Sequence, residues 1–294
     1  MRKVAIVTDT TACVPQEQVA RYDIEVVPVQ LIIEDKTYRD GIDITPTEFY
    51  NLLRKSKKLP TTSSSSPNPY LEAYQNASRK AQSILCLTEP SKFSAMFDSA
   101  RVAMYTAKTT LRNVAIEVLE CTTAAAGQGL VALAAAKAAA MDKPLNEVRE
   151  IAESIMSRVN LYATLDTLTY LVRSGRVPQA AALVNSILSI KPIFTLNHSD
   201  AHTVALPRTM KSAIDRMLKL MGSSAAKGQP LHVVVMHADA LGEAITLKDR
   251  ITSQFECREI FITEFTPVMG VHTGPGLIGV AFYSEEPGAQ FPTP

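Results

Sequence analysis

The chain has 294 residues, 46% of them hydrophobic and 20% charged, which is enough for two globular domains of ordinary size. Its net charge of +1 gives no general indication of a nucleic-acid or acidic partner. The alanine-rich stretch at residues 124–141 includes Gln128 and Lys137, so it predicts a packed helix and not a membrane span.

The first half of the chain alternates apolar runs with segments of helical periodicity. Apolar runs lie at residues 4–7, 24–33, 84–87 and 114–119, and helical spacing occurs at residues 46–54, 69–81, 93–108 and 123–141. Thr45 and Pro46 are a typical N-cap and first residue for the first of these helices. The alternation predicts an α/β/α domain with a mostly parallel sheet, and residues 24–38 predict a small hairpin at one edge.

Two loops of this domain are expected to face a ligand. In a parallel sheet, the loops after the carboxyl ends of the strands open onto the ligand crevice. Here these loops are residues 8–11, with the sequence Thr-Asp-Thr-Thr, and residues 88–91, with Thr-Glu-Pro-Ser.

The second half of the chain has a different order of elements. Residues 192–196 and 203–206 flank Asn-His-Ser-Asp, a sequence typical of a hairpin turn. Further elements are predicted at residues 208–221 (a basic amphipathic helix), 232–236 (strand), 241–255 (helix), 259–265 (strand) and 277–283 (strand). This order predicts an α+β domain with a mixed or antiparallel sheet. Because a helical segment at residues 145–159 ends the first part, we expect domains at residues 1–158 and 159–294.

Two segments offer hydroxyl groups. Six consecutive Thr and Ser residues lie between Pro60 and Pro67, and their hydroxyls can donate to one anion or form a solvated loop. Ser91 and Ser94 stand at the start of the next predicted helix, where an N-cap role explains either of them equally well.

A third segment combines glycines with a histidine. Residues 270–276 read Gly-Val-His-Thr-Gly-Pro-Gly. Glycine permits close backbone approaches, and His272 can exchange a proton near neutral pH. Such a loop can hold a polar ligand group against its backbone. The alternative is a tight turn with an incidental histidine.

Two arginine-containing segments are further candidates for ligand contact. Arg173 and Arg176 flank Ser-Gly, which suits a phosphate or carboxylate but is equally expected at a cationic helix end. Arg208 lies at a predicted helix start, where the helix dipole disfavours a cation. That position raises the chance that its charge serves a ligand or a partner.

The four cysteines indicate no metal site. Cys13, Cys86, Cys121 and Cys257 form no Cys-x-x-Cys pair and have no histidine at metal-ligand spacing. Free thiols are typical of a reducing compartment, and residues 1–9 predict no signal peptide. We therefore expect a cytoplasmic protein without a cofactor.

Several motifs occur together in one order. They lie at residues 5–12, 38–43, 61–63, 91–94, 167–176, 190–192 and 270–276. With these motifs the chain resembles, nearly from end to end, the DegV family of bacterial fatty-acid-binding proteins. The resemblance implies a two-domain fold with an apolar tunnel between the halves.

The resemblance also implies roles for particular residues. A long-chain fatty acid would lie in the tunnel with its carboxylate held by Thr62 and Ser94, with Ser63 nearby and His272 completing the polar end. A separate fatty acid kinase would phosphorylate that carboxylate to an acyl phosphate. Arg176 and Arg208 would then stand at the mouth, serving phosphate or the kinase, and membrane contact would be transient at most.

The chain departs from the family pattern at three places. Ser64 and Ser65 replace the usual Gln-Pro, Ala95 and Met96 replace Gly-Thr, and Ser174 replaces a glycine. We expect a more flexible loop at the first place and a reshaped tunnel beside Met96 at the second.

Two other functions compete with the acyl carrier. One is a serine hydrolase that uses Ser94, His272 and Asp9, although no Gly-x-Ser-x-Gly elbow is present. The other is a regulatory protein without a ligand, which a tunnel blocked around Met96 would favour.

Overall fold

The computed structural model describes residues 1–63, 66–184 and 190–286. Its strands are β1 (Arg2–Asp9), β2 (Glu25–Val27), β3 (Gln30–Ile33), β4 (Lys36–Arg39), β5 (Thr61–Ser63), β6 (Ala81–Thr88), β7 (Ala115–Glu120), β8 (Asn160–Thr164), β9 (Ile193–Asn197), β10 (Asp200–Ala205), β11 (Leu231–His237), β12 (Cys257–Glu264) and β13 (Ile278–Ser284).

The helices alternate with these strands along the chain. They are α1 (Gln16–Tyr22), α2 (Pro46–Leu53), α3 (Pro67–Ser78), α4 (Met96–Thr110), α5 (Ala126–Ala140), α6 (Leu145–Arg158), α7 (Thr169–Ser174), α8 (Ala180–Val184), α9 (Met210–Ser224), α10 (Leu241–Thr252) and α11 (Pro267–Thr273). Within the described ranges, no helix is both long and apolar enough to cross a bilayer.

The first sheet is parallel, as the sequence predicts. Its strand order is β2-β1-β6-β7, with β1 and β6 in the centre. Both central strands are buried on both faces over most of their length, which explains their continuous apolar runs. Because Val7 pairs with Cys86, the chain leaves β1 and β6 at the same edge. Asp9 and Glu89 therefore come close together there.

A small antiparallel sheet lies beside the first one, with the order β4-β3-β5. The predicted edge hairpin is β3–β4, whose turn residues Glu34 and Asp35 both have positive φ. The apolar run at residues 24–33 is not one strand, because the chain leaves the parallel sheet after β2, before Pro28. Part of the hydroxyl-rich run forms β5, and Thr62 pairs with Leu31.

The third sheet has the order β10-β9-β8-β13-β11-β12. Only the β11–β12 pair is parallel among its described pairings, so the sheet is mixed, as predicted. The Asn-His-Ser-Asp turn joins β9 and β10, with positive φ at His198 and Ser199. The division into domains at residues 158 and 159 stays a proposal. It falls between the end of α6 and the start of β8.

Helix α5 lies between the first and third sheets. It contacts β1 on one side and β11 and β13 on the other, and all its residues from Ala126 to Ala139 are buried. Helices α3 and α4 cover the outer face of the first sheet, and α9 and α10 cover the outer face of the third. The molecule thus has five layers, with the alanine-rich helix in the middle one.

Lys137 is the one charged residue of α5, and it is buried. Its ammonium group forms an ion pair with Glu259 of β12. Glu259 also bonds His232, with Nδ1 2.7 Å from its carboxylate. These partners lower the pKa of Glu259 although its burial opposes that shift. The network joins the middle helix to the third sheet.

We expect Lys137→Met to lower the free energy of unfolding by about 3 kcal/mol, because it leaves Glu259 charged and buried with one partner fewer. Lys143→Met, which removes a partly exposed pair with Glu147, should cost less than about 0.5 kcal/mol. Urea unfolding measures both values. Equal losses in the two variants would contradict the role of the buried pair.

Candidate functional site

A cavity of about 340 Å³ opens between the first and third sheets. Its lining is mainly apolar and comes from both halves of the chain. Examples are Val29 and Met96 from the first half, and Leu161, Phe194 and Leu277 from the second. Such a volume is in the range of small-molecule sites, and an apolar wall with a few polar groups suits a long apolar ligand with a polar end.

Thr62 and His272 form one polar part of the wall. Thr62 Oγ1 and His272 Nε2 lie 3.1 Å apart, although 210 residues separate them in the chain. Burial, and secondarily the charge of Arg176, lowers the pKa of His272 to about 4. The imidazole is therefore neutral near pH 7. Its Nδ1 is buried and has no hydrogen-bond partner among the described residues.

Helix α11 positions His272, so residues 270–273 are helical and not part of a loop as the sequence suggested. Pro267 occupies the first helical position, and the backbone N–H of Val268 donates to Asp40 Oδ2 at 3.2 Å. Asp40 thus satisfies a free amide at the start of the helix. Burial raises the pKa of Asp40 to about 7.

The glycines of this segment serve packing and do not line the cavity. A Cβ at Gly270 would lie 2.6 Å from Phe49 Cε1, so glycine lets α11 approach α2 closely. Gly274 has a φ of +69° and faces Tyr170. The expectation that these glycines bring the backbone against a ligand is wrong, because the described wall contains His272 and Thr273 but none of them.

Ser94 and Glu89 form a second polar part of the wall. Ser94 Oγ donates to Glu89 Oε1 at 2.7 Å and accepts the Met96 N–H at 3.2 Å. The second contact helps to satisfy the start of α4, so Ser94 has part of the capping role that the sequence allowed. Met96 is fully buried and lines the cavity beside these residues.

Sequence reasoning did not single out Glu89. Burial, followed by the nearby charge of Asp9, raises the pKa of Glu89 to about 8. Burial also raises the pKa of Asp9, against hydrogen bonds from Thr11, Gln128 and Tyr70. The available signal was a carboxylate directly after a buried strand, at the edge where ligands bind.

The two arginines differ in position. Arg176 lines the cavity and is exposed, and its Nη1 donates to Ser174 O at 2.7 Å. Arg208 is exposed one residue before Thr209, the N-cap of α9, and it is not part of the described wall.

Of the predicted site residues, the cavity brings together Thr62, Ser63, Ser94, His272 and Arg176, but not Arg208. Ser64 and Ser65 lie outside the described residues.

The contacts of Ser94 and His272 differ from those of a hydrolase triad. In a triad the serine hydroxyl bonds the histidine, and the histidine bonds the acid. Here Ser94 bonds Glu89, and His272 bonds Thr62. Asp9 bonds other side chains. For the ranges that the structure covers, no cluster of three or more His, Cys, Asp or Glu residues could hold a metal ion.

The model of the DegV family of uncharacterised proteins matches residues 3–285. The chain belongs to the DegV family. A DegV domain-containing protein of Streptomyces coelicolor is 33% identical over 285 residues, which cover 96% of this chain and 99% of the relative. The protein DegV of Bacillus subtilis is 28% identical over 281 residues, which cover 95% and 98% of the two chains.

Solved structures of DegV proteins have the same fold. A DegV family protein from Thermus thermophilus, described for its fatty acid binding, superposes with a TM-score of 0.88 and 28% identity, covering 97% of this chain and 100% of the other. DegV from Bacillus subtilis, described as a fatty acid binding protein, gives a TM-score of 0.84 and 27% identity with the same coverage. The two-domain α/β fold expected from the resemblance is therefore confirmed.

We expect the His272 imidazole to remain neutral down to about pH 5, because its pKa is lowered to about 4 from the ordinary value of 6.5. Its Cε1–H signal in an NMR titration, assigned by comparison with His272→Gln, should show no step between pH 5.5 and 8. A titration midpoint near the ordinary value would contradict the buried, neutral state.

Proposed function

We propose that this protein binds a long-chain fatty acid in the cavity, with the carboxylate at Thr62, Ser63, Ser94 and His272, and presents it to a separate fatty acid kinase. The observation that carries the proposal is the apolar cavity between the sheets, with the Thr62–His272 pair and Ser94 in its wall. The DegV relatives described as fatty acid binding proteins support the choice of ligand.

Burial of the acyl chain would provide most of the affinity. Each buried methylene contributes roughly 0.8 kcal/mol, so about fifteen of them give on the order of 12 kcal/mol before the cost of ordering the ligand is subtracted. The walls that would contact the chain are hydrocarbon side chains of both sheets, such as Leu161 and Leu277. A ligand bound this tightly should survive purification.

The polar residues would fix the head group. A buried carboxylate is costly unless donors compensate for its lost hydration. The Thr62–His272 pair can supply one such donor. It is the Thr62 hydroxyl when Nε2–H of the neutral imidazole donates to Thr62 Oγ1, and it is Nδ1–H when Nε2 accepts from Thr62. The Ser94 hydroxyl would be a second donor, and no fixed positive charge lies among them. In this arrangement a carboxylate oxygen stays chemically free to accept a phosphoryl group. Arg176, exposed in the cavity wall, would face the incoming phosphate.

The two alternatives find less support. A serine hydrolase would need a Ser94–His272 hydrogen bond, whereas each side chain has a different partner. A cavity blocked around Met96 would support the other alternative, a regulatory protein without a ligand. Met96 lines an open cavity of about 340 Å³ instead.

We expect native mass spectrometry of the freshly purified protein to detect a bound fatty acid or, after delipidation, uptake of added palmitate. Thr62→Val should lower the affinity about tenfold or more, because it removes one hydrogen bond to a charged group. Thr61→Val is the matched control, since Thr61 lies next to it in β5 and not in the cavity wall. A protein with no bound lipid and no uptake would overturn the proposed function.

Arg208→Ala should leave palmitate binding unchanged and slow its phosphorylation by a bacterial fatty acid kinase with ATP. Arg208 is exposed and lies outside the cavity wall that the described residues form. Lys219→Ala, an exposed change farther along α9, is the control and should affect neither step. Equal loss of binding and phosphorylation in Arg208→Ala would show instead that this arginine contributes to ligand binding.

A further inference from the structure

Ser94 has one hydroxyl proton, and Glu89 accepts it. The Ser94 Oγ to Glu89 Oε1 distance is 2.7 Å, and both side chains lie in the cavity wall. While Ser94 donates to Glu89, it has no proton for a ligand carboxylate. A ligand carboxylate beside an ionised Glu89 would also place two like charges in a water-poor site. The contact that the structure contains is therefore unsuited to the proposed ligand as long as Glu89 is ionised.

We propose that Glu89 acts as a positioning residue in its neutral form, donating its proton to Ser94 Oγ so that the Ser94 hydroxyl points its own proton at the ligand carboxylate. This inference rests on the proposed function and adds a proton requirement to it. Ser94 Oγ would then accept from Glu89 and from the Met96 N–H and donate once to the ligand, which uses its full hydrogen-bonding capacity. No covalent bond changes in this step.

The charged groups around Glu89 favour the neutral form. Asp9, at the end of β1, is buried beside it and has a raised pKa of its own, so the two neighbouring carboxyl groups oppose each other's ionisation. Arg176, after α7, is the opposing cation, but it is exposed to solvent, which weakens its effect. His272 is neutral, and Glu120 Oε1 accepts a hydrogen bond from the backbone N–H of Ser91 at 2.6 Å. Burial and the neighbouring Asp9 raise the pKa of Glu89 more than Arg176 lowers it, and the resulting pKa is about 8.

A pH dependence of binding follows with a definite sign. Below pH 8 Glu89 keeps its proton and the site accepts a carboxylate. As the pH rises further, the protonated fraction falls, and the apparent affinity falls with it. For a pKa of about 8, the affinity should drop about tenfold between pH 7 and pH 9. At pH 8, binding should take up about half a proton from the buffer.

The test compares wild type with Glu89→Gln, using dodecanoate at concentrations where it is monomeric and fully ionised. The glutamine amide can donate to Ser94 Oγ but cannot ionise. We expect Glu89→Gln still to bind dodecanoate at pH 7, because its amide can take over the hydrogen bond to Ser94 Oγ. Its affinity should stay nearly constant up to pH 9, while that of wild type falls about tenfold. Parallel pH profiles of the two proteins would overturn the proposal.

A second measurement counts protons directly. Titration calorimetry of dodecanoate binding at pH 8, in buffers of different ionisation enthalpy, gives the number of protons taken up. An uptake near one half in wild type that is lost in Glu89→Gln supports the role of Glu89 over that of Asp9, and no uptake in wild type rejects it. If wild type binds no fatty acid at any pH, the proposed function itself fails, and this outcome is distinct from binding without proton uptake.

Discussion

The close packing of helix α5 between two sheets is the constraint on which the rest of the structure depends. Two sheets can lie this near to the same helix only if its side chains are small. Alanine supplies most of that surface, and glycine permits a close backbone approach, since a Cβ on Gly129 would lie 2.5 Å from the carbonyl oxygen of Ala12. Because the helix fixes both sheets, it also fixes the gap between them beyond its own N-terminal end. Ala124 and Ala125, which precede the helix, line the cavity in that gap.

At the cavity, the groups that are costly to ionise are buried carboxyl groups. Its histidine is neutral, its hydroxyls are uncharged, and its exposed arginine is hydrated. The carboxyl groups of Asp9 and Glu89 are buried at the edge of the parallel sheet and are shifted toward their neutral forms. Under the proposed function, a carboxylate would be bound next to Glu89 and without a buried cation, so its affinity would depend on the protonation state of Glu89.

Much of the architecture was predictable because it depends on local patterns. The alternation of apolar runs with helical segments predicted a parallel sheet, and Asn-His-Ser-Asp predicted the β9–β10 turn. Pairing partners were not predictable. The strand formed by Thr61–Ser63 exists because the edge of β3 is free to accept it. Helix α11 contains a glycine and two β-branched valines, and it is stabilised by Asp40 and by packing against α2, which are remote in sequence.

Prediction of the site had a similar limit. The resemblance to the DegV family pointed to Thr62, Ser94 and His272 because their motifs are local and ordered. Glu89 has no such motif, and its importance comes from its surroundings: burial, the neighbouring Asp9 and the contact with Ser94. Arg208 belongs to none of these motifs; it is exposed outside the cavity wall, and its service to phosphate or a kinase stays a prediction.

The Thr62–His272 contact has a consequence for the biosynthesis of the protein. Its two residues are 210 positions apart, and β13, which pairs with β8 and β11 in the sheet behind the cavity, comes after both. A ribosome therefore has to release the segments from β5 to β13 before this contact and the sheet behind it can form together. A polypeptide that ends before β13 contains both residues but lacks the strand that joins β8 to β11.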